Sequence, residues 1–339
     1  MPKSITIAFQ TDKPLSAYGP LAARAEDYGF DGVTVYNDML YQPAWLPLME
    51  IAKATKRVRI GAAAVNPFTS HPVNLAANIA LVDEASQGRA YLGIARGGWL
   101  DFVGIQPKRV VTALKESFAA VRHLLSQSKD PLPGEIFPVA GGDAFRWSIL
   151  RPNIPFLLGS WGEKTLHACL PYINEVKIGG SANPDVSPWM RGLIAQHAPA
   201  QGRNPADIGI VVGAVTVVDE DGRAARQKAA REVALYLPVI AELDPTVQIE
   251  PDRMDRIKAA AARYDFEAAA AAVSDEILAK FAFAGTPAEI AEQTLAIFAQ
   301  GADRVEFGTP HGITGENGLR LLGEKVLPAV KNAKNEENE

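Results

Sequence analysis

Short apolar runs alternate with longer helical patterns along the whole of this 339-residue chain. Strand-like runs fall near residues 4–9, 32–36, 58–65, 90–95, 154–158, 174–178, 208–217 and 303–307. Helical patterns occupy 16–29, 44–55, 72–87, 110–127, 162–170, 185–198, 222–237 and 286–300, and a last helix covers about 316–333. Strands separated by helices pair in parallel, because each crossover returns the chain to the same end of the sheet. Eight such units predict a closed (β/α)8 TIM barrel.

Two stretches exceed a minimal barrel. Residues 129–153 are rich in proline and glycine and read as an excursion before the fifth strand. Residues 238–285 contain an alanine-dense helical region, Ile257 to Val273, ended by Gly285-Thr286-Pro287. They predict a helical insertion before the last strand, placed over the barrel mouth where a lid belongs. With no Gly- or Ser-rich linker in between, residues 1–339 read as a single domain.

Composition narrows the function classes. The net charge of −5 argues against a nucleic-acid partner, which calls for a basic footprint. The one cysteine, Cys169, excludes an internal disulfide framework and fits a small core residue. The five histidines lack metal-ligand spacing, so no metal site is expected. Met1-Pro2-Lys3-Ser4 leads directly into an apolar strand, and no apolar run reaches membrane-span length. The expectation is a cytoplasmic protein without a membrane partner, ending in a solvated tail over 334–339. Neither GxGxxG after the first strand, nor a Walker lysine, HExxH or GxSxG is present.

Active sites of such barrels lie at the carboxyl ends of the strands. The third strand ends in Gly61-Ala62-Ala63-Ala64-Val65-Asn66. Bulky branched side chains normally fill a barrel, so small residues here leave space against which a flat ligand can rest, or make room for a large neighbour. Asp38 after the second strand and His71 after the third are candidates for proton transfer, or for capping and turn stabilisation. Arg96, ahead of Gly97-Gly98-Trp99, pairs with an anionic ligand group or bridges surface loops. Gly159-Ser160-Trp161-Gly162 suits a phosphate or forms an ordinary tight turn. Ser181-Ala182-Asn183 follows the sixth strand. His311 lies in a glycine-rich loop after the eighth, where a buried backbone contact is the competing role. Glu306 lies inside or just outside the last strand, and strand parity alone leaves its face open.

Asn66-Pro67-Phe68-Thr69-Ser70-His71-Pro72, together with Gln87 to Gly93, Gly159 to Gly162, Ser181 to Pro184 and Phe307 to His311, resembles the luciferase-like superfamily. More narrowly, it resembles the methylenetetrahydromethanopterin reductases that use the deazaflavin coenzyme F420. The resemblance implies a dimeric barrel and a tricyclic ring resting on the third strand at a non-prolyl cis peptide, by position Ala63–Ala64, with Asn66 beside it. It also implies that Gly159, Ser160, Trp161, Gly162, Ser181, Ala182 and Asn183 hold the cofactor's phosphate and side chain. Asp38, Arg96, Trp99 and His311 would face the substrate or the ring's polar edge. Two departures stand out: Asn37-Asp38-Met39 replaces an Asp-His pair, and Arg96-Gly97-Gly98-Trp99 replaces a glycine- and acid-rich loop. The expected activity is hydride transfer between coenzyme F420 and a small organic, possibly pterin-like, substrate. An FMN-dependent luciferase-like monooxygenase and a non-catalytic deazaflavin- or pterin-binding barrel are the alternatives.

Overall fold

The computed structural model describes residues 3–336; of the tail expected over 334–339, residues 337–339 lie outside the described residues, as do the side chains of 334–336. Among the described residues the strands are β1 (Ser4–Phe9), β2 (Gly32–Val35), β3 (Arg59–Val65), β4 (Ala90–Ala95) and β5 (Phe156–Gly159). They continue with β6 (Glu175–Gly179), β7 (Gly209–Val218), β8 (Ala282–Gly285) and β9 (Arg304–Gly312). Helices α1 (Tyr18–Tyr28), α2 (Trp45–Ala54), α3 (Pro72–Ala85), α4 (Val110–Leu125), α5 (Glu163–Cys169), α6 (Val186–His197) and α7 (Gly222–Ala234) connect them. Four more helices, α8 (Leu237–Leu243), α9 (Pro251–Ala261), α10 (Phe266–Ala271) and α11 (Asp275–Phe281), form the insertion ahead of β8. α12 (Pro287–Ala299), α13 (Gly315–Leu321) and α14 (Leu327–Glu336) complete the chain. No described helix is long and apolar enough to cross a membrane.

All neighbouring strands pair in parallel. β1 to β7 follow in order, β9 lies between β7 and β1, and the barrel closes with eight strands. The structure adds a ninth strand that the sequence pattern leaves inside the insertion. β8 pairs with Val215–Val218, beyond the point at which β6 leaves β7. The alanine-dense region also divides. Tyr264 takes a left-handed φ of 58°, and Asp265 accepts a hydrogen bond from the Ala268 amide, so α9 stops and α10 starts anew. The excursion at 129–153 holds one antiparallel bridge, Leu132 with Val139, and is anchored by Glu116, whose carboxylate accepts from the amides of Glu135, Ile136 and Phe137.

Two faces of each strand go to two environments, as period-two alternation requires. Ile60, Ala62, Leu92, Ile94, Phe156, Leu158, Ile210 and Val212 pack outward into the main apolar core under the helices. Ala63, Tyr91, Leu157 and Val211 point inward as a small separate cluster. Gly61 is what admits Tyr91 to this interior: a Cβ there would stand 2.4 Å from the Tyr91 carbonyl oxygen and 2.7 Å from its ring. Gly61→Ala is therefore expected to destabilise the fold by roughly 1–3 kcal/mol, the usual cost of overpacking. Thermal unfolding against the wild type measures this, and an unchanged midpoint would contradict the tight contact.

Candidate active site

The barrel interior is charged. At its amino-terminal end Arg59 holds Glu175 through two contacts of 3.2 Å, and Arg304 reaches the same carboxylate at 3.2 Å. Both guanidinium groups stack 5.0 Å from the Tyr91 ring centroid. Burial pushes the Glu175 carboxyl up, but Arg304 and Arg59 outweigh it and hold the group below the usual range. Nearer the mouth, Lys177 from β6 forms an ion pair with Glu306 from β9, whose side chain is fully enclosed. The hydroxyl of Thr34 donates to Glu306 at 2.6 Å; its single proton is then spent, so the Tyr91 hydroxyl is the donor in their 2.6 Å contact. Burial raises the Glu306 carboxyl, and Lys177 with Arg304 reverses that, leaving an ionised carboxylate below its ordinary range.

Above this layer the side chains become small. Ala63 and Ala64, whose shared peptide bond is cis, as the resemblance implies, end β3. Gly159 stands level with Lys177 in the β5–β6 register, and a Cβ there would lie 3.9 Å from that of Ala64. A Cβ on Gly179 would meet nothing within 4 Å, although this position has the same inward parity as Lys177. Tyr36 borders the space with its ring 5.0 Å from the Lys177 ammonium. Burial, with the charges of Glu306 and Asp38, pushes its phenol well above the ordinary range, so it acts as a neutral hydrogen-bonding group.

The residues expected from sequence divide into those left accessible and those committed to structure. Asp38 is half-buried and accepts from the Gln10 side chain at 2.8 Å. Arg96 and Trp99 are exposed and line a cleft with Leu100, Asp101 and Gln106. Ser160 is half-buried; its hydroxyl accepts from the Gly162 amide at 3.1 Å, and the exposed Gly162 and Lys164 follow. The indole of Trp161 donates to the Gly179 carbonyl at 3.1 Å and is buried, so it ties β5 to β6.

Asn66 is a turn residue. Its side-chain oxygen accepts from the amides of Phe68 and Thr69 and from the Thr69 hydroxyl, which shapes the loop after β3. His71 caps α3, its Nδ1 accepting from the Val73 amide at 3.2 Å while its ring meets Phe137 edge-on. Ser181, Ala182 and Asn183 are buried beneath the insertion. The Ala182 amide donates to the Lys280 carbonyl at 2.9 Å, and the Asn183 side chain donates to Thr246 at 2.7 Å. These contacts clasp the insertion to the loop after β6.

The sequence profile of the luciferase-like monooxygenase family matches residues 5–304. The chain belongs to this family. A 5,10-methylenetetrahydromethanopterin reductase of Methanolobus tindarius is 26% identical over 327 residues, covering 95% of this chain and 98% of that protein. The solved coenzyme F420 dependent tetrahydromethanopterin reductase from Methanopyrus kandleri shares the fold at a TM-score of 0.88 and 24% identity, with 97% and 99% coverage. An F420-dependent secondary alcohol dehydrogenase, solved with an F420-acetone adduct, follows at a TM-score of 0.77 and 18% identity, over 97% of this chain and 99% of that one.

In this luciferase-like barrel His311 is also structural. It is buried against the edge of Phe9, and its Nε2 contacts the Ala8 carbonyl at 2.9 Å. Burial lowers the imidazole to about 4, so it is neutral at neutral pH with Nε2–H as the donor. The unfolded chain takes up a proton near pH 6.5 that the folded site refuses until about pH 4, so stability falls as pH drops through that interval. His311→Gln keeps a donor and removes the titration. It is expected to recover roughly 3 kcal/mol of the stability difference between pH 7 and pH 4. Denaturant unfolding at the two pH values checks this, and an unchanged difference would contradict it.

Proposed function

We propose that this chain is an oxidoreductase that transfers hydride between coenzyme F420 and a small organic substrate. The observation that carries the reading is the small-residue top of the barrel: Ala63, Ala64, Gly159 and Gly179 stand above a charged floor, a Cβ on Gly179 would meet nothing within 4 Å, and a flat tricyclic ring suits such a cradle. The full-length similarity to methylenetetrahydromethanopterin reductases supports it. Ala63 and Ala64 would support the ring, while Asn66 keeps the β3 loop in shape from below. Gly159, Ser160 and Gly162, with the exposed Lys164, would hold the phosphate. Asp38, Arg96 and Trp99 would meet the substrate, and a bound deazaflavin would supply the hydride chemistry. Hydrophobic residues exposed beside the β2 loop, Leu40, Tyr41 and Leu46, support self-association as a homodimer.

The family's description as luciferase-like monooxygenases supports a second reading, an FMN-dependent monooxygenase, and Arg96-Gly97-Gly98-Trp99 is the local departure from the reductase pattern that agrees with it. Equilibrium titration of the purified protein with oxidised coenzyme F420 and with FMN separates the two. The deazaflavin is expected to bind at least about tenfold more tightly, a difference of about 1.4 kcal/mol. Tighter FMN binding with oxygen consumption on reduced FMN would overturn the proposal in favour of a monooxygenase. Binding of F420 without turnover on any carbonyl or pterin-like substrate would leave a carrier barrel instead.

A further inference from the structure

Ionisable residues inside a TIM barrel are costly, because each charge leaves water for a medium that answers it poorly. This interior nevertheless holds two cations, Lys177 and Arg304, with two carboxylates, Glu175 and Glu306, and Arg59, 41% exposed, reaches Glu175 from the amino-terminal rim. Branched apolar side chains would fill the same space without that cost. The arrangement is also directional. The Lys177 side chain keeps 10% of its surface exposed whereas Glu306 keeps none, so the cationic end of the pair is the more accessible one. Lys177 reaches β9 by crossing β7 at Gly213, where a Cβ would stand 3.5 Å from its Cε and 3.1 Å from the Glu306 Cβ. Its ammonium then lies against the Tyr36 ring at the border of the small-residue space.

We propose that Lys177, oriented by Glu306, is a positioning residue that makes the barrel floor favour the reduced form of the ring bound above it. Reduction places two further electrons in the ring and raises electron density on its nitrogen- and oxygen-bearing side. A fixed positive charge in a poorly screened interior stabilises that density more than it stabilises the oxidised ring. Arg304 adds to the effect from behind Glu306. The inference rests on the deazaflavin reading for the identity of the ring, but its physical content concerns the field of the floor.

The test compares dissociation constants of oxidised and reduced F420 for the wild type, Lys177→Arg, Glu306→Gln and the double variant Lys177→Met/Glu306→Gln. In the double variant neither charge remains to be left unpaired, and a glutamine still accepts from Thr34. The double variant is expected to weaken reduced F420 at least about tenfold more than oxidised F420, which lowers the potential of the bound couple by about 30 mV. Glu306→Gln alone is expected to shift the ratio the opposite way, and Lys177→Arg to preserve it. A purely structural role would weaken both forms alike. That result, or a ratio within about twofold of wild type in the folded variants, overturns the inference while leaving the deazaflavin reading intact. If the wild type prefers FMN, the deazaflavin reading fails, and the same ratio measured with oxidised and reduced FMN still decides the role of Lys177. A wild type that binds neither ring overturns both.

Discussion

Glu306 sits fully enclosed within a parallel barrel, where a carboxylate is stable only while its charge and lone pairs are answered. Lys177, Thr34 and, at longer range, Arg304 answer them, and each is placed by a different strand. Removing one partner of such a buried pair typically costs about 3–5 kcal/mol, because the other charge is left uncompensated. The strands that supply these groups are therefore held in one register by more than their backbone ladder. The same charged layers occupy the volume that branched side chains fill in other barrels. Above them the chain can leave its top layer to alanine and glycine without opening a hole through the protein.

The insertion closes over the loop after β6. Lys280 receives the amide of Ala182, and Thr246 receives the side chain of Asn183, so the loop after β6 is closed down by residues from the far end of the fold. β8 then joins the end of β7 and carries the chain on into α12 through a capping box at Thr286 and Glu289. The insertion thus packs on the carboxyl ends of β6 and β7. The contact at Gly180, where a Cβ would stand 2.9 Å from Ile240, shows how closely the two fit.

Barrel topology was legible in the chain because eight apolar runs separated by helical patterns admit few other arrangements. β8 was not. Ala282-Phe283-Ala284-Gly285 follows a helix directly and is too short to show a period. Ala63 and Ala64 were legible as small residues in a place that usually holds bulky ones. The charged floor was hidden for a different reason. Lys177 stands between Val176 and Ile178, and Arg304 beside Val305, so each reads as an interruption of an apolar strand. Which way an interruption points is decided by register with neighbouring strands, and one strand does not contain that information. Residue type marked His71 and His311, and the resemblance marked Ser181 and Asn183, but only packing reveals the hydrogen bonds each makes within the protein.

The central claim is that the open top layer of the barrel seats the ring. Gly179 offers the cleanest probe, since a Cβ there meets no protein atom within 4 Å and its strand parity turns it inward with Lys177. Gly179→Leu should melt at the wild-type temperature while its affinity for oxidised F420 falls at least about a hundredfold, or about 2.7 kcal/mol. A folded variant that binds the cofactor as tightly as the wild type would place the ring elsewhere and contradict the account.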